Sequence, residues 1–451
     1  MTLLEHLKTY TGTMLPMHMP GGKRRFDSDL PYGWDVTEVE GTDDLHDPHG
    51  ILAEMQDRAA ALWGAERSFV LVNGSTGGIL SAIRATGDGE LLMGRNCHKS
   101  VYNAAALCRR TTHYVLPVEE EVLPADLASA LDAHPAVTTV LITSPTYHGV
   151  ISDIAALAEI CHSRGVTLIV DEAHGAHLGF SFGQSAVSLG ADIVIQSLHK
   201  TLPALTQTAV LHCKERFASA IARENAVFET SSPSYILMAS ADECFAFLSS
   251  TSGKQAMEAY KQNLLTVREK LRKDLQKFRL MESPRYDMGK LVILTHGTDC
   301  TGRELADRLR TDYRMETEMS LPHSLTAMTS PCDTKKELNA FADAVLEIDK
   351  TVHAAHTPAL PAATLPKQVY PAYAVYGKEG SCLPIEKAVG KISLSYLWAY
   401  PPGIPLLVPG EQVDETLLHT VKQYENAGIP LHGMEKGLAC LENVMCWEHW
   451  K

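Results

Sequence analysis

Short apolar runs alternate with stretches of helical spacing along the chain as far as about residue 280. Over residues 51–63 the apolar positions recur at helical intervals, and residues 67–72 (Arg-Ser-Phe-Val-Leu-Val) then read as a strand. Asn73-Gly74-Ser75-Thr76-Gly77-Gly78 follows and opens onto a helix through Arg84. Further strand-like runs occur at Leu91 and at 113–116, 138–142, 167–170, 193–196 and 208–211, with helical patterns between them, as at 154–163. Strands alternating with helices predict an α/β fold built on a mostly parallel sheet with both faces covered.

The pattern changes beyond that point. A long amphipathic stretch, 254–278, reads as a connector. The run 290–294, a helix near Arg303 and runs near Met315 and Leu325 then predict a smaller α+β unit. The first forty or so residues are Gly-, Pro- and Met-rich with weak periodicity and predict an arm or loop, and 351–374, rich in Ala, Pro and Thr, predicts a loop. The expected division is an arm over 1–45, a large α/β domain over 46–280 and a C-terminal α+β domain over 281–451.

Composition narrows the function. With 451 residues the chain exceeds the roughly 250–300 at which single cores stop growing. A net charge of -14 argues against a nucleic-acid partner, whose phosphates call for a basic face. The ten cysteines are scattered without framework spacing and read as reduced. Polar residues at Glu5 and His6 interrupt the start too early for a secretory signal, and no apolar stretch is long enough to span a bilayer. The expectation is a cytoplasmic protein with no membrane partner.

Two strand ends carry the candidate chemistry. The run 166–170 ends in Asp171-Glu172-Ala173-His174-Gly175-Ala176-His177, and 192–196 ends in Ser197-Leu198-His199-Lys200. Open α/β sheets bind ligands at the carboxyl ends of their strands. An aspartate to hold a pyridinium nitrogen and a lysine to bond the cofactor's carbonyl are the two groups that a pyridoxal phosphate enzyme needs. Each has a plainer reading, Lys200 as a surface residue and Asp171 as a helix cap. Gly74-Ser75-Thr76 fits a phosphate cradle at a helix amino terminus, or only a tight turn. His98 fits a ring stacked on a cofactor, or a satisfied loop histidine. The Asp-Glu-Ala-His string also spells a helicase motif, but no G-x-x-x-x-G-K-[ST] accompanies it. His174, His177 and Glu172 could ligate zinc, yet no H-E-x-x-H or Cys cluster completes a site, so no metal is expected.

Collected, these motifs resemble the Orn/Lys/Arg decarboxylase family in its short form, over nearly the whole chain. The resemblance is carried by Asp35-Val36-Thr37-Glu38-Val39, Gly41-Thr42-Asp43-Asp44-Leu45-His46-Asp47-Pro48, Gly74-Ser75-Thr76, His98-Lys99-Ser100 and Pro145-Thr146-Tyr147-His148-Gly149. It continues through the two strand-end strings above and through Tyr400-Pro401-Pro402-Gly403-Ile404-Pro405 and Pro409-Gly410-Glu411. It implies an aminotransferase-like fold (fold type I) and pyridoxal 5'-phosphate as cofactor. Lys200 would carry the cofactor and Asp171 would face its ring nitrogen. Ser75, Thr76, Ser197 and His199 would surround the phosphate, with His98 stacked on the ring and Gly74, Ala173 and His174 in the same cofactor-binding set. Glu411 would lie near the substrate's distal cation, and Asp43 and Asp44 near the active-site mouth. The family usually has Pro-Gly-His-Lys where this chain has Pro20-Gly21-Gly22-Lys23. A homodimer or higher homo-oligomer is implied.

The expected activity is decarboxylation of a basic amino acid (arginine, lysine or ornithine) for polyamine or diamine synthesis. The alternatives are another reaction of this cofactor, such as transamination, elimination or oxidative deamination, and a non-catalytic binding subunit.

Overall fold

The predicted periodicities become elements at nearly the predicted places. In chain order they are α1 (Leu3–Thr13), α2 (Ile51–Trp63), β1 (Arg67–Leu71), α3 (Gly74–Ala85), β2 (Glu90–Gly94), α4 (Lys99–Leu107), β3 (Thr112–Val115), α5 (Pro124–Ala133) and β4 (Val137–Thr143). There follow α6 (Ile154–Ser163), β5 (Thr167–Asp171), β6 (Ile193–Ser197), α7 (Leu198–Thr201), β7 (Ala209–Cys213), α8 (Glu215–Phe228), α9 (Tyr235–Ser249) and α10 (Thr251–Asp274). The computed structural model describes residues 1–13, 23, 31–180, 182–356, 364–399, 404–426, 430–434 and 436–441. Gly22 and the Tyr400–Gly403 part of the Pro-rich string lie outside the described residues.

The strands form a seven-stranded sheet in the order β1-β7-β6-β5-β4-β2-β3. β2 runs parallel to β3 and β4, and β5 to β6, whereas β7 is antiparallel to both its neighbours. The mostly parallel sheet expected from the sequence is present.

By compactness the chain divides into two units that do not follow sequence order. One comprises Met1–Gly87, Ile154–Gln262 and Ser330–Thr334; the other comprises Asp88–Asp153, Asn263–Thr329 and Lys335–Lys451. In the first unit, strand alternation sorts the side chains between two faces. Asp171 pairs with Ile195, and Ser197 with Ala209, so these residues share one face. α3 packs on that face: a Cβ added to Gly78 would lie 3.0 Å from Ile195 Cγ2 and 2.6 Å from Leu71 Cδ1. Val194, Gln196, Val210 and His212 share the opposite face, where Trp63 of α2 packs against His212 with ring centroids 5.1 Å apart and planes tilted by 38°. Trp63, Val70, Val210, Tyr235 and Phe245 belong to the buried cluster there.

The amino terminus departs from expectation, because α1 is a helix and not a loop. Leu3 and Leu7, one turn apart, are fully buried, and Leu3 N–H donates to Asp242 Oδ2 at 2.7 Å. A helix this short is marginal alone and is held by tertiary packing.

In the second unit β8 (Arg279–Leu280), β9 (Lys290–Leu294), β10 (Met319–Leu321) and β11 (Ser324–Met328) form an antiparallel sheet in the order β10-β11-β9-β8. Helices α11 (Gly302–Tyr313) and α12 (Lys335–Thr351) belong to the same unit. No strand forms at Met315; its N–H closes the end of α11 on Leu309 O, and the strand begins at Met319. Farther on, short strands and the helix Glu415–Asn426 enclose a small core that includes Leu397, Leu407, Leu417, Val421 and Leu438. Among the described residues, no helix is long and apolar enough to cross a membrane.

Candidate active site

The apolar cores of β5 (Leu168-Ile169-Val170) and β6 (Ile193-Val194-Ile195) are buried as central strands and bring the polar residues at and beyond their ends to the sheet's carboxyl edge. Asp171 is the last residue of β5 and is buried. Its Oδ1 accepts Ala173 N–H at 3.2 Å. Burial pushes its carboxyl above the ordinary range, with the charge of Lys200 pulling the other way. Lys200 lies in the single turn of α7 that follows β6, and its Nζ is 3.1 Å from His174 Nε2. The structure thus brings Asp171, His174 and Lys200 together, although 29 positions separate the first from the last along the chain (200 − 171 = 29).

Around them are groups suited to an anion. Ser197 Oγ and Thr201 Oγ1 are buried and have no hydrogen-bond partner. A hydroxyl desolvated in this way costs stability until a ligand answers it. α3 begins at Gly74 with φ +65, a left-handed turn that glycine adopts without strain. Gly74 N–H donates to Gln207 O at 2.9 Å in the loop beyond Lys200, and Ser75 and Thr76 occupy the first helical turn, where backbone N–H groups lack helical partners. The turn before Gly74 is pinned by buried Glu229, whose Oε1 accepts Val72 N–H at 3.0 Å and Asn73 N–H at 3.2 Å. His199 Nδ1 is 2.9 Å from Thr208 O. Two orphan hydroxyls, a helix amino terminus and a buried carboxylate needing a cation fit pyridoxal phosphate. Thr201 stands in the polar cluster around Lys200 in the sequence without being assigned a role there, and Glu229 was not marked at all, since it acts only through neighbours brought up by the fold.

The three carboxylates expected near the substrate have partners inside the chain. Asp43 accepts backbone N–H groups of Asp44, His49, Gly50 and Leu52, which against the cost of burial hold its carboxyl below the usual range. It tethers the start of α2. Asp44 Oδ1 accepts His46 N–H at 2.8 Å, and His46 Nε2 is 2.8 Å from Thr230 O, next to Glu229. In the second unit Glu411 is fully buried and forms a two-pronged ion pair with Arg95, at 2.7 Å from Nη1 and 2.9 Å from Nη2. Tyr114, over whose ring Arg95 lies at 4.7 Å, completes the packing. A substrate cation could reach Glu411 only by displacing that guanidinium. His98, also in the second unit, is the N-cap of α4, its Nδ1 accepting Ser100 N–H at 3.2 Å. Glu172 does not join His174: it accepts hydrogen bonds from Ser185, Ala186 and Gln196.

A profile of the Orn/Lys/Arg decarboxylase major domain matches residues 25–304, and one of that family's C-terminal domain matches 349–442. An arginine decarboxylase of Halalkalibacterium halodurans is 31% identical over 93% of this chain and 92% of its own length. One of Bacillus subtilis is 29% identical over 93% of this chain and 92% of its own. Among solved structures, the constitutive lysine decarboxylase of E. coli has a TM-score of 0.79 at 18% identity, over 97% of this chain and 81% of that one. An alanine–glyoxylate aminotransferase of Nostoc sp. has a TM-score of 0.56 at 13% identity, over 68% of this chain and 88% of that one. The fold is therefore aminotransferase-like, with a lysine and a carboxylate at adjacent strand ends. The chain belongs to the Orn/Lys/Arg decarboxylase family and is a decarboxylase.

Proposed function

We propose that this enzyme uses pyridoxal phosphate held at Lys200 to decarboxylate a basic amino acid, arginine in the first place, as a homo-oligomer feeding polyamine synthesis. The observation that carries the chemistry is the buried Asp171 beside Lys200 at adjoining strand ends. Arginine is favoured because the relatives matched over more than nine tenths of this chain, from Halalkalibacterium halodurans and Bacillus subtilis, are arginine decarboxylases.

When bound, the cofactor supplies an electron-poor ring that takes up the electron pair left as CO2 departs. The chain's own residues do the rest. Asp171, anionic opposite the ring nitrogen, keeps a proton there. Ser75, Thr76, Ser197 and His199 hold the phosphate, with Thr201 joining them, and His98 keeps its expected stacking role. Lys200 Nζ, 3.1 Å from His174 Nε2, can exchange a proton with that ring and deliver it to the substrate's Cα. Asp43 and Glu411 each engage both oxygens with donors within the chain, whereas the His46 N–H bond engages only Oδ1 of Asp44, so Asp44 is the expected carboxylate for the substrate's cationic end.

The test is CO2 release from a panel of amino acids by the cofactor-loaded enzyme, with borohydride reduction and peptide mapping. Arginine should lead the panel, the label should fall on Lys200, and Asp44→Asn should flatten the preference for arginine over neutral amino acids. A keto acid product, or a label on another lysine, would overturn the proposal.

A further inference from the structure

On the face of β5, β6, β7 and β1 turned away from Asp171 and Ser197, a chain of polar side chains crosses the sheet. Glu172 Oε2 accepts from Gln196 Nε2 at 2.6 Å and from Ser185 Oγ at 2.7 Å, while Oε1 accepts Ala186 N–H at 2.8 Å. Gln196 Oε1 lies 3.2 Å from His212 Nε2, and His212 Nδ1 lies 2.7 Å from Ser68 Oγ. All four side chains, Glu172, Gln196, His212 and Ser68, are buried, and each comes from a different strand or its end.

The donors and acceptors run in one sense. Above about pH 7, where its carboxyl is ionised, Glu172 only accepts, so Gln196 turns its NH2 toward it and its carbonyl toward His212. That carbonyl requires the proton on His212 Nε2, which leaves Nδ1 to accept from the Ser68 hydroxyl. Burial pushes the His212 imidazolium down to about 3, so the ring stays neutral, as the pattern demands. The ladder lies in an apolar layer, against Trp63 and beside Val70 and Val210. Polar groups there cost stability unless fully paired, and an apolar row would serve folding at least as well.

What the ladder adds is position. Glu172 directly follows Asp171 and donates its N–H to Ile195 O at 2.9 Å, while Gln196 directly precedes Ser197 and the turn that bears Lys200. We infer that Glu172 and Gln196 are positioning residues for the decarboxylation, tying the ends of β5 and β6 together from behind so that Asp171 and Lys200 keep a fixed spacing. The inference rests on the roles proposed above for those two residues.

Glu172→Gln would set NH2 against NH2 at the first rung. Gln196 must then turn over, and His212 must move its proton to Nδ1. In the cofactor-loaded full chain, kcat should fall about tenfold with KM nearly unchanged, the scale of a sub-ångström displacement. Nitrogen-15 NMR of labelled histidine, assigned with His212→Asn, should report the proton on Nε2 in the wild type and on Nδ1 in Glu172→Gln. The double variant Glu172→Gln/Gln196→Glu reverses the first rung but puts an acceptor back opposite His212 Nε2–H, and should recover both the tautomer and most of kcat. Loss of kcat without a tautomer change, an unchanged kcat, or no rescue by the double variant would each overturn the inference. Should Glu172→Gln fail to fold, Ser68→Ala at the far end carries the test: kcat lowered about threefold at constant KM supports the ladder, and unchanged kcat overturns it. Borohydride labelling of Lys200 keeps the two proposals apart, because the ladder can fail while that label stays in place.

Discussion

Glu172 and Asp171 are neighbours in the chain that face opposite sides of the sheet, and burial raises both carboxyls. Burial pushes the Glu172 carboxyl up to about 7, with its bonds from Gln196, Ala186 and Ser185 pulling back. Relative to the ordinary value of 4.5, the folded protein holds this proton more tightly than the unfolded chain does. The stability that this contributes is therefore whole below about 4.5 and is lost as pH rises through about 7. Thermal melts from about pH 5 to about pH 8 should show the wild type losing ground to Glu172→Gln as pH rises. A gap between the two that stays constant, or moves the other way, would mean that Glu172 titrates as an ordinary exposed acid. Lys200 and Asp171 were legible in the sequence because each stands in the polar string that ends an apolar strand run, which delivers it to a sheet edge. The partners of Asp43 and Glu411 were not, since a carboxylate looks the same whether it awaits a substrate or answers an internal donor.

Among the elements, α3 shows how a turn and a contact together place a site. Gly74 allows the left-handed turn, and Gly78 lets the helix lie against Ile195 and Leu71 on the face that bears Asp171 and Ser197. A methyl at Gly78 would come within 2.6 Å of Leu71 Cδ1, so Gly78→Ala should lift the helix. Overpacking of this kind costs about 1–3 kcal/mol, and pyridoxal phosphate affinity should fall about tenfold because Ser75 and Thr76 ride on the same helix. Cofactor titration and thermal melts measure the two effects. Unchanged affinity would mean that the close approach of α3 does not set the phosphate end. The turn string was legible in the sequence, whereas the small residue's purpose was not, because Ile195 lies more than a hundred positions away. α1 was missed for a related reason: Leu3 and Leu7 are a weak signal until Asp242 caps the helix from afar.

In the whole molecule, Arg95 and Glu411 join parts of the chain matched by the family's major and C-terminal domains, 316 positions apart, inside one compact unit. Both side chains are buried, so removing one leaves the other charge without a counter-ion. Arg95→Met should cost about 3–5 kcal/mol in urea unfolding, and Arg95→Met/Glu411→Leu should recover much of it. If Glu411→Gln instead leaves stability intact and raises KM for arginine alone, Glu411 reads the substrate after all. The compact units likewise interleave segments from all along the chain, which no boundary drawn along the sequence can express.

By itself the sequence determined the element types, the mostly parallel sheet, the family, and the two strand ends at which a lysine and an aspartate meet. Those follow from local periodicity and from residues adjacent to apolar runs, where short-range physics suffices. Only the tertiary structure decided which polar groups satisfy one another. Glu411 met Arg95, Asp43 met the start of α2, Glu172 turned from His174 to Gln196, and Ser197 and Thr201 were left without partners. The pairings follow from burial, which drives a desolvated polar group to a partner among whatever the fold brings within about 3 Å, and the two unanswered hydroxyls stand where the chain itself supplies none. Sequence distance carries no information about that choice.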